Sequence, residues 1–348
     1  MSASTTKMAA LRLPPLPTIA DIIRTHKLSA RKSLSQNFLL NERITDKIVK
    51  KAGDLTGSYV LEVGPGPGAL TRSIMRQNPK KLILVEKDHR FLPTLNMLQE
   101  AFELTGSKID IIINDILKVQ MDALFPKEIA EDWNDKRPRI FIIGNLPFSV
   151  STHLIIKWLK AISEHKGPWS LGRSKMTLTF QKEVAERLVA PEYGVQRCRL
   201  SVMAQAWTFP NHQFTIPGRV FVPKPDVDVG VVSFVPLMTP QTKHSFDFFE
   251  LITRHVFSFR QKYCIRCIET LFPLYCRKEM GETLCKIADI DPTLKPTQLS
   301  VSDVDKIATA YEFLLQKHTE LQTYDYRASR RLLHDKYLDE VTISDYRD

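Results

Sequence analysis

The sequence contains no apolar run of about 20 residues, the length that a helix needs to cross a bilayer. It also shows no internal repeat and no low-complexity tract. These absences argue against a helix that spans a membrane and against a repeat array. What remains is a chain of 348 residues, 43% of them hydrophobic, which can form one large and one smaller domain. We expect a monomer without a membrane partner.

Cysteine is scarce, and its spacing matches no disulfide pattern. The five cysteines are an odd number, and no signal-peptide pattern precedes them, so reduced thiols inside a cell are expected. Cys264 and Cys267 have CxxC spacing, but neither a second CxxC nor a histidine pair follows. Thiols packed within a helix are therefore favoured over a zinc site, and we predict no metal.

The charge is positive and unevenly distributed. The net charge is +10, and the isoelectric point is about 9.3. Residues 1–240 carry 33 basic and 22 acidic side chains, whereas residues 241–348 carry 16 and 17. This balance favours a polyanionic partner.

The first 33 residues can be interpreted in two ways. They contain six Lys or Arg and a single acid, Asp21, a composition that resembles a mitochondrial targeting segment. However, prolines at 14, 15 and 17 interrupt any early helix. Thr18 and Asp21 also form a capping box for a helix over 18–28, as expected in a folded domain.

Apolar runs alternate with helical patterns over the first half of the chain. Buried strands are predicted at 59–63, 82–85, 109–113, 140–143 and 176–180. Helices are predicted at 42–52, capped by Asn41 and Gly53, and at 69–77, 89–104 and 151–165. Strands that alternate with helices imply an α/β fold with a mainly parallel sheet and right-handed crossovers.

The remaining pattern completes the sheet and then changes. Two further strands are predicted near 213–216 and 227–235, and residues 236–240 form a plausible hinge. Beyond that point the pattern is helical. Residues 122–138 are polar and are predicted to be an insertion loop.

A glycine-rich loop follows the first strand. Gly64, Gly66 and Gly68 lie between that strand and its helix, where glycine lets the backbone approach a ligand closely. Glu86, at the tip of the second strand, can accept both hydroxyls of a ribose. Asp115 follows the third strand and could bind an adenine amine. These features predict an adenosine-containing cofactor but do not separate NAD from S-adenosylmethionine.

The fourth strand ends in Asn145-Leu146-Pro147-Phe148. The amide carbonyl can accept from a base amine, the ring can stack on the base, and proline preshapes the turn. A plain strand-to-helix turn with a buried phenylalanine is the simpler alternative. Hydride transfer usually wants a proton donor at this tip, and none is present. Methyl transfer needs none, because a sulfonium is already a good leaving group.

Several motifs together resemble the ribosomal RNA adenine N6,N6-dimethyltransferase family, a class I methyltransferase group. They are Ser35–Leu39, Gly64–Gly68, Glu86-Lys87, Asp115-Ile116, Asn145–Phe148, Gln181–Ala185, Arg199–Val202 and Phe221–Pro225. The family often has tyrosine where Phe148 stands, which keeps the stack and loses a hydroxyl. Residues 34–40, 221–229 and 289–294 look closest to the mitochondrial branch, and the last fifty or so residues carry little of the resemblance.

The resemblance implies a Rossmann-like seven-stranded methyltransferase domain at 34–238 and a smaller helical domain at 239–348 that contacts RNA. It implies S-adenosyl-L-methionine as the cofactor. The expected activity is dimethylation of two adjacent adenines in a stem-loop near the 3′ end of mitochondrial small-subunit (12S) rRNA, in the mitochondrial matrix, in support of small-subunit assembly. The expected cofactor residues are Gln36, Asn37, Leu39, Gly64, Gly66, Glu86, Lys87, Asp115, Ile116 and Asn145.

The expected catalytic residues are Asn145, Leu146, Pro147, Phe148 and Phe221. The adenine is expected between Phe148 and Phe221, with Asn145 Oδ1 and the Leu146 carbonyl accepting from its amine. For Phe221, a core aromatic on a strand is the alternative. Helix capping is the alternative for Gln36 and Asn37.

Cations outside the cavity motifs are candidates for RNA contact. The predicted set is Lys27, Arg31, Lys32, Arg197, Arg199, Arg254, Arg260, Lys262 and Arg266. Helical spacing places the aromatics Phe257, Phe259 and Tyr263 in the core. A second function remains open, that of a non-enzymatic nucleic-acid-binding factor for mitochondrial transcription. A dehydrogenase is disfavoured because the acid or base is missing.

Overall fold

The computed structural model describes residues 15–31, 34 and 36–324. These residues divide into two compact units. The sheet unit contains the described residues up to Val189 together with Trp207–Pro240. The helical unit contains Ala190–Ala206 and the described residues from Gln241 onward. Ser35 and part of the predicted targeting segment, residues 1–14, Lys32 and Ser33, lie outside the described residues.

Seven strands form the main sheet, and two short strands pair separately. The strands are Phe38–Leu39 (β1), Tyr59–Val63 (β2), Lys81–Glu86 (β3), Lys108–Ile113 (β4), Ile140–Gly144 (β5), Lys175–Gln181 (β6), Thr208–Ile216 (β7), Phe221–Val222 (β8) and Val229–Pro236 (β9). The main sheet has the order β4-β3-β2-β5-β6-β9-β7, and β1 pairs with β8. The strands from β2 to β6 run parallel, whereas β9 pairs antiparallel with both β6 and β7. The predicted α/β sheet is confirmed.

The helices of the sheet unit are Ile19–Thr25 (α1), Glu42–Ala52 (α2), Ala69–Met75 (α3), Leu92–Glu103 (α4), Phe148–Ser163 (α5) and Lys182–Val189 (α6). The predicted caps are present, since Thr18 Oγ1 accepts from the Asp21 N–H at 3.1 Å and Asn41 Oδ1 accepts from the Ile44 N–H at 3.3 Å. Helix α5 begins three residues earlier than predicted, because Pro147 lies at its N-cap with extended backbone. Phe148 therefore stands on the first turn of a helix.

Strand register brings three chemical signals to one edge of the sheet. Val63, at the end of β2, lies opposite Val85 of β3 on one side and Gly144 of β5 on the other. The residues that follow these positions are Gly64, Glu86 and Asn145. Gly144 permits this close pairing, because a Cβ there would lie 2.8 Å from the Val63 carbonyl oxygen. The glycine loop, the carboxylate and the amide thus meet at the carboxyl ends of parallel strands.

The helical unit contains Arg199–Trp207 (α7, whose last residue belongs to the sheet unit), Phe246–Val256 (α8), Cys264–Ile268 (α9), Arg277–Ala288 (α10) and Val301–Lys317 (α11). The prediction began the helical domain at residue 239, but this unit also contains the earlier segment 190–206. The Tyr193 N–H donates to the Thr297 carbonyl at 2.8 Å, and Arg197 donates to the Leu299 carbonyl at 3.0 Å. These long-range bonds attach the segment to the unit that follows it.

The prediction that the aromatics of residues 251–267 lie in the core is wrong for Phe259 and Tyr263, whereas Phe257 is partly buried. The stretch is not one helix, because α8 ends at Val256 and α9 begins at Cys264. In the turn between them, 38% of Phe259 is exposed, and 56% of Tyr263 is exposed at the cap of α9. No helix in the described part of the chain is both long and apolar enough to cross a membrane.

Candidate active site

A cavity opens at the edge of the sheet where the glycine loop and the strand tips meet. All of the predicted cofactor residues and all of the predicted catalytic residues line it. They come from the tips of β2, β3, β4 and β5, from the segment around β1, and from β8. These elements are spread along the chain from β1 to β8, so the fold rather than local sequence gathers them.

Glu86 organises one end of the cavity. Its Oε2 accepts from the Gly66 N–H at 2.9 Å and its Oε1 from the Asp88 N–H at 2.8 Å. The side chain is buried, and this burial raises the pKa of its carboxyl above the usual value, while the hydrogen bonds oppose the rise. Each carboxylate oxygen retains acceptor capacity, so Glu86 can receive hydroxyl donors from a ligand.

The glycine loop reaches Glu86 through a left-handed turn. Gly66 has φ +54°, and a Cβ there would lie 3.7 Å from the Phe38 ring. A side chain at this position would strain the backbone and narrow the cavity. The loop, Glu86 and their bonds fit an adenosine ribose, which needs a close backbone and a hydroxyl acceptor.

Lys87 and Asp115 form an ion pair at the mouth of the same end. Lys87 Nζ lies 2.8 Å from Asp115 Oδ2, and the hydrogen bond from Lys87 is the largest cause of the lowered pKa of Asp115. The other carboxylate oxygen accepts from the Leu117 N–H at 3.0 Å. Asp115 is thus an ionised carboxylate held by two bonds, and each of its oxygens keeps acceptor capacity for the adenine amine that the sequence suggested.

Gln36 lines the cavity, but both ends of its amide bind within the chain. Nε2 donates to Asp88 Oδ2 at 3.0 Å, and Oε1 accepts from the Arg31 N–H at 2.9 Å. Asp88 is also held by Arg90, which donates to both carboxylate oxygens. Arg90 further donates to the Ser29 carbonyl at 3.1 Å. Asp88 and Arg90 therefore anchor the N-terminal segment over the cavity, and sequence reasoning missed both.

Asn145 organises the opposite end. Its Nδ2 donates to the Asn37 carbonyl at 3.1 Å, and its Oδ1 accepts from Thr179 Oγ1 at 2.9 Å. The Leu146 N–H donates to the same Thr179 oxygen at 3.1 Å. Thr179, on β6, was also missed, and its only signal was that it is one of two threonines in the strand pattern that ends at Phe180.

Two aromatic rings border the amide end. Phe148 is partly exposed on the first turn of α5. Phe221 is 2% exposed on β8, where it pairs with Leu39, and it contributes to the hydrophobic core as well as to the cavity wall. Phe221 is therefore a core aromatic on a strand, as the alternative had it, and it also lines the cavity where stacking on a base is predicted.

Charge is confined to one end of the cavity. Among the described lining residues, the side chains that carry charge are Glu86, Lys87 and Asp115, all from β3 and β4 or the residues just after them. The lining near Asn145 offers amide and carbonyl groups and rings. This end can orient an amine but has no side chain that titrates near neutral pH.

The predicted RNA cations fall into three groups. The prediction is wrong for Arg197, because this side chain is 1% exposed and donates inside the helical unit to the carbonyls of Leu299 and Ala190. Its Nη2 is buried and has no hydrogen-bond partner among the described residues. Arg199 and Arg266 have acidic neighbours, Glu250 at 4.0 Å and Glu269 at 3.3 Å. The others described are exposed or partly exposed: Lys27, Arg31, Arg254, Arg260 and Lys262.

Comparison with known proteins agrees with this geometry. The family model for ribosomal RNA adenine dimethylase matches residues 27–308. The mitochondrial dimethyladenosine transferase 1 of Xenopus tropicalis is 50% identical over 93% of each chain, and that of Homo sapiens is 49% identical over 99% of each chain.

Solved structures show the same fold at low sequence identity. A dimethyladenosine transferase from Plasmodium falciparum has a TM-score of 0.60 at 21% identity, covering 78% of this chain and 96% of that one. The 23S rRNA methyltransferase ErmE has a TM-score of 0.53 at 18% identity, covering 79% of this chain and all of that one. The class I methyltransferase fold is thus confirmed, and with the family model spanning most of its length, the chain belongs to the ribosomal RNA adenine dimethylase family.

Proposed function

We propose that the protein transfers methyl groups from S-adenosylmethionine to the exocyclic amines of two adjacent adenines in a stem-loop near the 3′ end of mitochondrial small-subunit rRNA. The main support for this proposal is the Asn145 amide, which is neutral and held in place by two hydrogen bonds. It lines a cavity whose other end, around Glu86, suits adenosine. The names of the mitochondrial dimethyladenosine transferase relatives support the adenine target and the compartment. Modification in the matrix would support assembly of the small ribosomal subunit.

The cavity residues fit the cofactor. Glu86 would accept the ribose hydroxyls, and the loop around Gly66 would let the cofactor approach the backbone. When bound, S-adenosylmethionine supplies a methyl group on a positively charged sulfur, which leaves without help from an acid. The chain then needs residues that align the acceptor and exclude water, and these are what the amide end provides.

At the amide end, Asn145 Oδ1 and the Leu146 carbonyl would accept from the adenine amine. These bonds draw the nitrogen lone pair out of ring conjugation and direct it at the methyl carbon. Transfer would form the new N–C bond as the S–C bond of the cofactor breaks, and the methylated amine would then lose its proton to water. Phe148 and Phe221 would hold the extruded base, since stacking is worth about 1–3 kcal/mol per base.

The turn between α8 and α9 supports an RNA partner. It exposes Phe259 and Tyr263 beside Arg260 and Lys262, a combination of rings and cations that suits bases and phosphates. Binding through phosphates predicts that affinity falls steeply as salt rises. Lys262→Ala should reduce the slope of log affinity against log salt by about 0.7–0.9. An almost flat salt response of the parent chain would remove this turn from the proposal.

Asn145→Ala tests the function directly. The parent chain should transfer methyl groups to a small-subunit hairpin with adjacent adenines, whereas the variant should transfer essentially none while still binding the cofactor. Equal activity of the two would remove Asn145 from the mechanism. A parent chain that binds RNA and transfers nothing would favour the alternative, a non-enzymatic factor for mitochondrial transcription.

A further inference from the structure

The Thr179 hydroxyl joins two consecutive residues of the strand-tip motif. It accepts from the Leu146 N–H at 3.1 Å and donates to Asn145 Oδ1 at 2.9 Å, and the side chain is fully buried on β6. We propose that Thr179 is a positioning residue for methyl transfer, which holds the Asn145 amide with its oxygen presented to the adenine amine. This inference rests on the proposed function and names a residue that the family motifs do not include.

The direction of each bond follows from the donors available. A backbone N–H can only donate, so the Thr179 oxygen accepts from Leu146 and its single proton is left for Asn145. At the other side of the amide, Nδ2 donates to the Asn37 carbonyl at 3.1 Å. A flipped amide would set Oδ1 against that carbonyl and place two acceptors together. Only one orientation of the amide satisfies all three partners.

Orientation matters because the side-chain amide of asparagine is otherwise free to turn. Its terminal torsion is broad and roughly two-fold, so a loosely held amide presents N–H groups as readily as its oxygen. An N–H facing the adenine amine repels it, whereas Oδ1 has a second lone pair that can accept. The hydrogen bonds of Thr179 thus act as a lock on the orientation of the Asn145 amide. Without this lock the adenine amine is less well aligned, which we expect to slow methyl transfer about tenfold to a hundredfold.

The chain supplies a matched control two residues away. Thr177 lies on the same strand and the same face as Thr179 and is 1% exposed. Its hydroxyl has no hydrogen-bond partner among the residues that the structure describes. Thr177→Val thus removes a buried hydroxyl without touching the Asn145 amide, whereas Thr179→Val removes the lock and Thr179→Ser keeps the hydroxyl.

The first experiment measures kcat and KM for methyl transfer to the hairpin by the parent and the three variants. Thr179→Val should lower kcat about tenfold to a hundredfold and leave the KM values for RNA and cofactor unchanged. Thr179→Ser and Thr177→Val should stay near the parent. Parental kcat in Thr179→Val, or equal losses in all three variants, would overturn the positioning role.

A second readout does not depend on activity. Selective ¹⁵N labelling of asparagine resolves the Asn145 side-chain amide by NMR, with Asn145→Ala providing the assignment. The parent and Thr179→Ser should show one sharp pair of amide signals, and Thr179→Val should show broadened or doubled signals. Unchanged signals in Thr179→Val would refute the lock. A parent chain that leaves the hairpin unmethylated would refute the proposed function, while these signals would still decide the role of Thr179.

Discussion

The two ends of the cavity use opposite kinds of chemistry. The carboxylate end, built by Glu86, Asp88 and Asp115, is charged and braced by backbone N–H groups and basic side chains. The amide end, built by Asn145 and Thr179, is neutral, and each bond there fixes a direction rather than a charge. Charge suits the holding of a cofactor, and neutral alignment suits a transfer that requires no proton at the moment of reaction.

The largest effect should come from a carboxyl buried beside the charged end. Glu62 on β2 is 0% exposed, and burial, followed by the charge of Glu86, raises its pKa to about 8. Between its ordinary value of 4.5 and about 8, the folded chain holds one proton more than the unfolded chain, so stability falls as pH rises. The slope is at most about 1.4 kcal/mol per pH unit.

Glu62→Gln removes this titration. Urea unfolding across pH 5–8 should show a flatter stability profile for the variant than for the parent, and the difference should be largest at the alkaline end. Glu103→Gln, at the exposed end of α4, serves as the control and should follow the parent. Parallel profiles for Glu62→Gln and the parent would mean that Glu62 ionises normally in the folded chain.

Gly144→Ala tests whether the two ends depend on one spacing between strands. The added Cβ would lie 2.8 Å from the Val63 carbonyl oxygen and 3.3 Å from the Val63 Cβ, so β5 must move away from β2. We expect a loss of about 3 kcal/mol in the free energy of unfolding by urea. Gly57→Ala is the matched control, because its Cβ would meet nothing within 4 Å and only the left-handed backbone is strained. Similar losses in both variants would show that the strand spacing is adaptable.

Substitutions at the two ends of the cavity should cause different defects. Glu86→Ala removes the acceptor of the Gly66 and Asp88 N–H groups and should weaken binding of S-adenosylmethionine about tenfold to a hundredfold by calorimetry. Asn145→Ala should weaken that binding much less, because the bonds of Asn145 are to Asn37 and Thr179 rather than to the Glu86 end. If Asn145→Ala weakens cofactor binding as much as Glu86→Ala does, the two ends are not separable.

The contrast between the two ends was partly readable in the sequence. Strand patterns and the rule for parallel sheets place Gly64, Glu86 and Asn145 at one edge of the sheet. The residue types alone show that Glu86 carries a charge and Asn145 does not. The partners that hold them were not readable. Thr179 lies 34 residues from Asn145, and Asp88 lies 52 residues from Gln36, so no local pattern links either pair.

Arg197 shows why residue type misleads when partners are distant. A cation in a basic chain suggests surface and RNA, but this one donates to the carbonyl of Leu299, 102 residues away. Such acceptors offset part of the cost of burying an arginine, and their positions depend on the tertiary fold. The exposure of Phe259 has the same origin, since the break between α8 and α9 overrides the helical spacing of the aromatics.

The smallest effect should come from the anchor between the charged end and the N-terminal segment. Although burial raises the pKa of Asp88, hydrogen bonds from Arg90 and Gln36 hold it below its usual range. A lowered pKa stabilises the fold above the ordinary Asp range, and this contribution is lost as pH falls below it. Arg90→Ala should cost about 1 kcal/mol at neutral pH, and less once the solution is acidic enough to protonate Asp88.

Cofactor affinity should fall about threefold in Arg90→Ala, because the segment that carries Gln36 is held less firmly, while kcat stays at the parental value. Arg24→Ala breaks an exposed ion pair, in which Arg24 Nη1 lies 3.6 Å from Asp21 Oδ1. This variant should change neither the cofactor affinity nor kcat. If Arg90→Ala instead lowers kcat and leaves cofactor binding intact, the N-terminal segment acts through Asn37 on the amide end. The division between a charged end that holds the cofactor and a neutral end that aligns the acceptor would then fail at a segment that reaches both.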